Sequence, residues 1–296
     1  MKRSVKAISL LLAIGVIFSI IGCSKDPAAD KGAVQMEERK PALLVISFGS
    51  SYNETREATI GAIEKSMQQA NPEYDVRRAF TSQTIIDILA KREKLEIDNV
   101  EQAMQRLADD KVKNVIIQPT HVMAGKEYDD IMAEVKKHTE KFESIKVGSP
   151  LLTDEADYDL LVKALAEETK QYNTEDTAVV YMGHGTHHQA NETYVKLQSK
   201  LFEAGYDNYF VGTVEAEPTL EDVMEMVKNS GAKKVVLLPL MVVAGDHASN
   251  DMAGDEEGSW KTEFEKAGYQ VECVLKGLGE YDGVQQMFVE HAKNAK

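Results

Sequence analysis

The sequence predicts an α/β protein of two similar doubly wound, Rossmann-like halves, each built on a parallel sheet, around a central cleft. Three observations predict it: short β-branched runs alternate with segments of helical period, the alternation occurs twice, and one strand-plus-loop passage recurs. Strands separated by helices pair in parallel, and parallel sheets are covered on both faces.

Taken in order, the strand candidates of the first half lie at about 42–47, 74–80, 114–118 and 145–149. Between the first two, Ile60, Ile63, Met67 and Ala70 recur at helical spacing. The second half repeats the scheme with strands at about 177–182, 208–214, 234–240 and 270–275. Its helices are marked by Tyr194, Leu197 and Leu201, and by Leu220, Val223 and Val227.

The recurring passage is Asn114–Gly125 against Lys234–Gly245. Each has an apolar run, a proline in sixth place (Pro119, Pro239) and an Ala-Gly ending. Eight residues beyond each proline the copies diverge, to Glu127 in one and His247 in the other. The first strand likewise ends in Phe48-Gly49-Ser50 where the fifth ends in His184-Gly185-Thr186. Imidazoles are thus kept in the second half, and the first half is expected to form the other wall of the cleft.

The halves divide into 41–172 and 173–296, within a polar stretch from Gln171 to Asp176. A final helix carrying Val284, Met287, Phe288 and His291 fits against either half.

Ahead of residue 41 the chain reads as processing signal rather than fold. Lys2, Arg3 and Lys6 precede an apolar run from Ala7 to Ile21, shorter than the roughly 20 residues that span a bilayer. Residues 1–22 are therefore expected to be an export signal. Ile20-Ile21-Gly22-Cys23 resembles a bacterial lipobox, which implies cleavage before Cys23, lipid attachment to it, and a flexible tether over 23–40. The expected location is outside the cytoplasm, periplasmic or at the cell surface, anchored to the membrane through Cys23.

The only other cysteine is Cys273, so no disulfide framework is expected. A formal charge of −15, more negative once the leader's cations are removed, argues against nucleic acid as a partner.

The chemistry is expected where apolar runs stop. Ala178–Met182 runs into His184, flanked by Gly183 and Gly185, and the run from Val235 to Val243 leads through Ala244 and Gly245 to Asp246-His247. Ligand sites in open α/β sheets gather at the carboxyl ends of strands. The intervening strand ends at Glu215, preferred over Glu217, which precedes Pro218 and suits the turn into the next helix. Two imidazoles and a carboxylate suit a divalent cation, and three protein ligands leave positions open for a substrate. His187 and His188 could flank the same pocket. The acidic run Asp251, Asp255, Glu256 and Glu257 lacks calcium-loop spacing and reads as a solvated helix start.

Met182–His188, Val214-Glu215, Pro239–Gly254 and Ser259-Trp260-Lys261 together resemble the anaerobic sirohydrochlorin cobalt chelatases, among the class II tetrapyrrole chelatases. The likeness covers nearly everything after residue 40, and includes Gln118–His121. It implies that His184 and His247 bind the incoming metal and help to remove pyrrole N–H protons, and that Glu215 completes the metal site. The implied reaction inserts cobalt, or iron or nickel, into sirohydrochlorin. Because that substrate carries many carboxylates, Arg56, Lys126 and Lys196 are candidate local donors. Export departs from the family's usual cytoplasmic setting and raises an alternative, a lipoprotein that carries haem, another tetrapyrrole or metal without turnover. His121 would then be a candidate axial ligand. A homo-oligomer is left open.

Overall fold

Each half of the chain folds into a four-stranded parallel sheet, and the two sheets have the same internal order. The computed structural model describes residues 39–296; the export signal, Cys23 and the tether as far as residue 38 lie outside the described residues. In the first half β1 (Ala42–Ser47) is followed by α1 (Asn53–Arg56), a π turn at Glu57–Gly61 and α2 (Ala62–Ala70). Then come β2 (Asp75–Phe80), α3 (Gln83–Glu93), α4 (Val100–Asp109), β3 (Asn114–Pro119), α5 (Lys126–Lys136), β4 (Ser144–Val147) and α6 (Glu155–Glu168). The second half runs β5 (Thr177–Gly183), α7 (Glu192–Glu203), β6 (Tyr209–Thr213), α8 (Leu220–Ser230) and β7 (Lys234–Pro239). It ends with α9 (Trp260–Lys266), β8 (Gln270–Cys273) and α10 (Asp282–Lys293).

The sheets are ordered β2-β1-β3-β4 and β6-β5-β7-β8, with every pairing parallel. Central β1 and β5 are buried along their whole length, as a strand with helices on both faces must be, whereas edge strands β4 and β8 keep exposed positions. Helix starts follow local chemistry. Asn99 with Gln102, and Thr219 with Asp222, form capping boxes at α4 and α8, and Ser82 caps α3.

The period of two along the central strands sorts the core into layers. Leu43 and Val45 of β1 point to the same apolar cluster as Val179 and Tyr181 of β5, together with Ile63, Leu161, Leu238 and Phe288. Ala42, Leu44 and Ile46 point the other way, into a cluster with Met104 and Leu107 of α4. Ala178, Val180 and Met182 point into a third cluster, with Val223 and Trp260. The middle cluster draws on both halves.

Helix α10 lies against α2, α6 and β3, burying Val284, Met287, Phe288 and Ala292. His291 ties it down, with Nδ1 3.1 Å from the Ser149 carbonyl oxygen and Nε2 2.9 Å from Asp157 Oδ1. At the end of the chain, the Val147 N–H donates to the Lys296 carbonyl at 2.9 Å.

Because Phe288 is fully buried in the cluster common to both halves, Phe288→Ala should lower unfolding stability by about 3–5 kcal/mol. Urea unfolding followed by Trp260 fluorescence should coincide with the transition seen by far-ultraviolet circular dichroism. Two separated transitions in the unsubstituted protein would show that the middle layer does not couple the halves.

Candidate metal centre

The backbone brings the first two donors together before any side chain is considered. Beyond the last paired residues of β5 and β6 the two chains remain bonded: Val214 N–H donates to the Gly183 carbonyl (3.0 Å) and Glu215 N–H to the His184 carbonyl (2.9 Å). This continuation needs glycine on both sides of His184. Gly185 has φ +87°, and a Cβ there would stand 2.8 Å from the Ala216 nitrogen; at Gly183 a Cβ would meet the Tyr194 ring at 2.2 Å. Tyr194 in turn accepts the Gly185 N–H at 3.3 Å.

The third donor arrives from the neighbour on the other side of β5. After β7 the chain loops through Gly245 and Asp246 to His247, which stands at the head of a π turn, Ala248–Met252. Its Nδ1 lies 2.6 Å from Asp251 Oδ2, one turn further on. A carboxylate only accepts, so Nδ1 carries the proton and Nε2 keeps its lone pair. In His184 the Nδ1–H likewise points to the Gly185 carbonyl oxygen at 2.9 Å.

His184, Glu215 and His247 therefore form one group whose ligand atoms all lie within 4.8 Å of one another. The two rings meet edge to face with centroids 4.5 Å apart, and Glu215 Oε2 is 3.6 Å from His184 Nδ1. The side chains are 47 %, 52 % and 34 % exposed in that order, so a large ligand can reach the donors. Both imidazoles, with Nδ1–H directed at an oxygen, can bind a borderline divalent ion through Nε2 and let it go again, since no thiolate closes the cage.

Other expected residues are placed differently. His187 is exposed and stands outside the group. His188 accepts the Ala190 N–H through Nδ1 and faces Asp129 of α5 across the cleft, at 3.5 Å. Glu217 is not part of the group; its carbonyl oxygen accepts from Asn191. Arg56, Lys126 and Lys196 are committed to the protein's own carboxylates Glu93, Asp130 and Glu155, and Arg56 is buried as well. Arg56 is withdrawn from any ligand by its burial, whereas Lys126 and Lys196 pair at exposed positions, where such pairs hold a side chain only weakly.

Asp251 was missed, having been grouped with the solvated run. Asp255 and Glu257 are indeed 91 % exposed and pair with Lys261 and Lys266, but Asp251 belongs to His247. The signal was readable, because residues i and i+4 meet on one helical face. Tyr52, whose hydroxyl reaches Asp246 at 3.4 Å across the halves, gave no such signal.

On the facing wall, His121 follows β3 and Glu127 opens α5. His121 is 9 % exposed and neither ring nitrogen makes a hydrogen bond. Its Nε2 approaches Glu127 Oε2 to 3.4 Å without hydrogen-bond alignment. Burial lowers the His121 pKa to about 4, so the ring is neutral at working pH. Burial raises the Glu127 pKa, partly countered by the nearby charge of His184. With both ring nitrogens shut off from solvent, an axial bond from His121 to a flat macrocycle would need its surroundings to move.

The depressed His121 pKa has a sign that can be measured. Below the unfolded value of about 6.5 the unfolded chain takes up a proton that the folded one refuses. Stability should fall as pH drops from about 6.5 to 4, by up to about 3 kcal/mol, with Glu127 protonation offsetting part of the loss. Urea unfolding across that range should show a flatter profile for His121→Phe than for the unsubstituted protein; equal slopes would contradict the burial argument.

A family model described as "Cobalt chelatase (CbiK)" matches residues 41–296. The sirohydrochlorin cobaltochelatase of Salmonella typhimurium is 40 % identical over 256 residues, 86 % of this chain and 96 % of that protein. Sirohydrochlorin cobaltochelatase CbiKC of Nitratidesulfovibrio vulgaris is 34 % identical over 254 residues, 85 % of this chain and 89 % of that one. Among solved structures, SirB from Bacillus subtilis with Fe3+ superposes with a TM-score of 0.60 at 14 % identity, covering 86 % of this chain and 95 % of that one. That last likeness speaks to the fold alone.

Proposed function

The chain belongs to the cobalt chelatase (CbiK) family, and from that membership we propose that it inserts cobalt(II) into sirohydrochlorin. One observation carries the reading: His184, Glu215 and His247, far apart in sequence, meet as a single donor group in an open position. The metal is substrate here, not a resident cofactor.

In this reading the ion is taken up by the two Nε2 atoms and the Glu215 carboxylate, with its other positions left to water. Each exchange replaces two pyrrole N–H protons by one divalent ion. As the ion passes to the ring, the imidazole nitrogens it vacates are bases of the right strength to receive those protons. One set of residues thus serves successive steps. Asp251 acts through His247, holding its tautomer and ring plane.

Cobalt is the metal that the family description names; iron(II) and nickel(II) suit the same nitrogen and oxygen donors and belong in the same assay. The alternative of a haem carrier ligated by His121 is disfavoured by the burial of that ring. We also propose that the chain is exported and lipid-anchored through Cys23, on the strength of the basic residues, apolar run and lipobox-like ending. Insertion would then occur outside the cytoplasm. Fatty-acid labelling in cells should mark the native protein and not Cys23→Ser; labelling of both would rule out that anchor.

Anaerobic insertion followed by absorbance should slow by about a hundredfold or more for His184→Ala and for His247→Ala. Asp251→Asn should cost about ten- to a hundredfold. Unchanged rates in the two alanine variants would refute the assigned roles.

A further inference from the structure

The wall that faces the donor group contains a pair of residues that the reaction leaves unused. His121 is nine-tenths buried, and both of its ring nitrogens lack a hydrogen bond. Leaving a buried imidazole unpaired is costly, so such an atom in a folded protein calls for a ligand. The group nearest to it is Glu127, whose Oε2 stands 3.4 Å from His121 Nε2 and whose carboxylate accepts no hydrogen bond from any described residue.

Around an ion held tetrahedrally with bonds of about 2.1 Å, neighbouring donors are about 3.4 Å apart. We infer that His121 and Glu127 form a second cation subsite, on the first-half wall, that takes a borderline divalent ion such as cobalt(II) with water completing its shell. The ring is in its neutral, metal-competent form. Glu127, about half exposed, is the side through which a bare ion arrives, although a macrocycle cannot. The internal repeat places Glu127 where the second half has His247, so both subsites use the same corner of a duplicated frame. Only the second subsite's purpose, as a staging position for incoming metal, rests on the chelatase reading.

Anaerobic equilibrium dialysis of the full chain with cobalt(II), and no tetrapyrrole, tests the subsite separately from insertion. The unsubstituted protein should bind two equivalents, the second about tenfold more weakly, having two protein donors instead of three. A His184→Ala, His247→Ala variant should retain the weaker equivalent, and adding Glu127→Gln should abolish it. Glu127→Gln alone should saturate at one equivalent; being nearly isosteric, it keeps the fold, which circular dichroism verifies. Saturation of the unsubstituted protein at one equivalent, or a weaker equivalent indifferent to Glu127→Gln, would overturn the inference.

Discussion

Everything at the candidate metal centre depends on two hydrogen bonds that continue the β5–β6 pairing past the ends of the strands. The bond from Glu215 N–H to the His184 carbonyl ties two donor residues together through the main chain. It exists because Gly185 takes a left-handed turn and because neither flanking glycine has a Cβ to collide with Tyr194 or with the backbone at Ala216. Side chains on a fixed backbone need few rotamers to converge, and the entropy lost on binding an ion is correspondingly small. Sheet order supplies the rest. With β5 between β6 and β7, three adjacent strand ends open to one side of one sheet.

The same strand order in the first half leads to a different surface. Its counterpart of His184 is Phe48, 46 % exposed, and its counterpart of His247 is Glu127. An apolar ring and a carboxylate stand at the first-half positions that correspond to the two imidazoles. Duplication thus supplied two frames, and divergence at a few loop positions gave the walls different chemistry. The middle apolar cluster, filled from both halves and closed by α10, holds those walls as parts of one folded unit.

Electrostatics pulls in two directions. A formal charge of −15 favours cations near the cleft and opposes a carboxylate-rich macrocycle. Of the basic side chains considered, Arg56 is buried against Glu93, while Lys126 and Lys196 pair at exposed positions.

The sequence by itself determined the eight strands, the parallel pairing and which three residues meet at the ends of the second sheet, because each rests on local information. Buried strands are written as contiguous β-branched runs, and a strand that ends in Gly-His-Gly announces a tight turn with a ligand. The i, i+4 pairing of His247 with Asp251 was equally local and was lost only by treating an acidic run as uniform. Tertiary structure alone decided which residues face each other across the cleft. Tyr52 with Asp246, His188 with Asp129, the isolation of His121 and the docking of α10 on the first half all join positions far apart in the chain. No periodicity encodes such contacts. They follow from how two covered sheets pack through a common apolar layer, a property of the assembled surfaces rather than of any one segment.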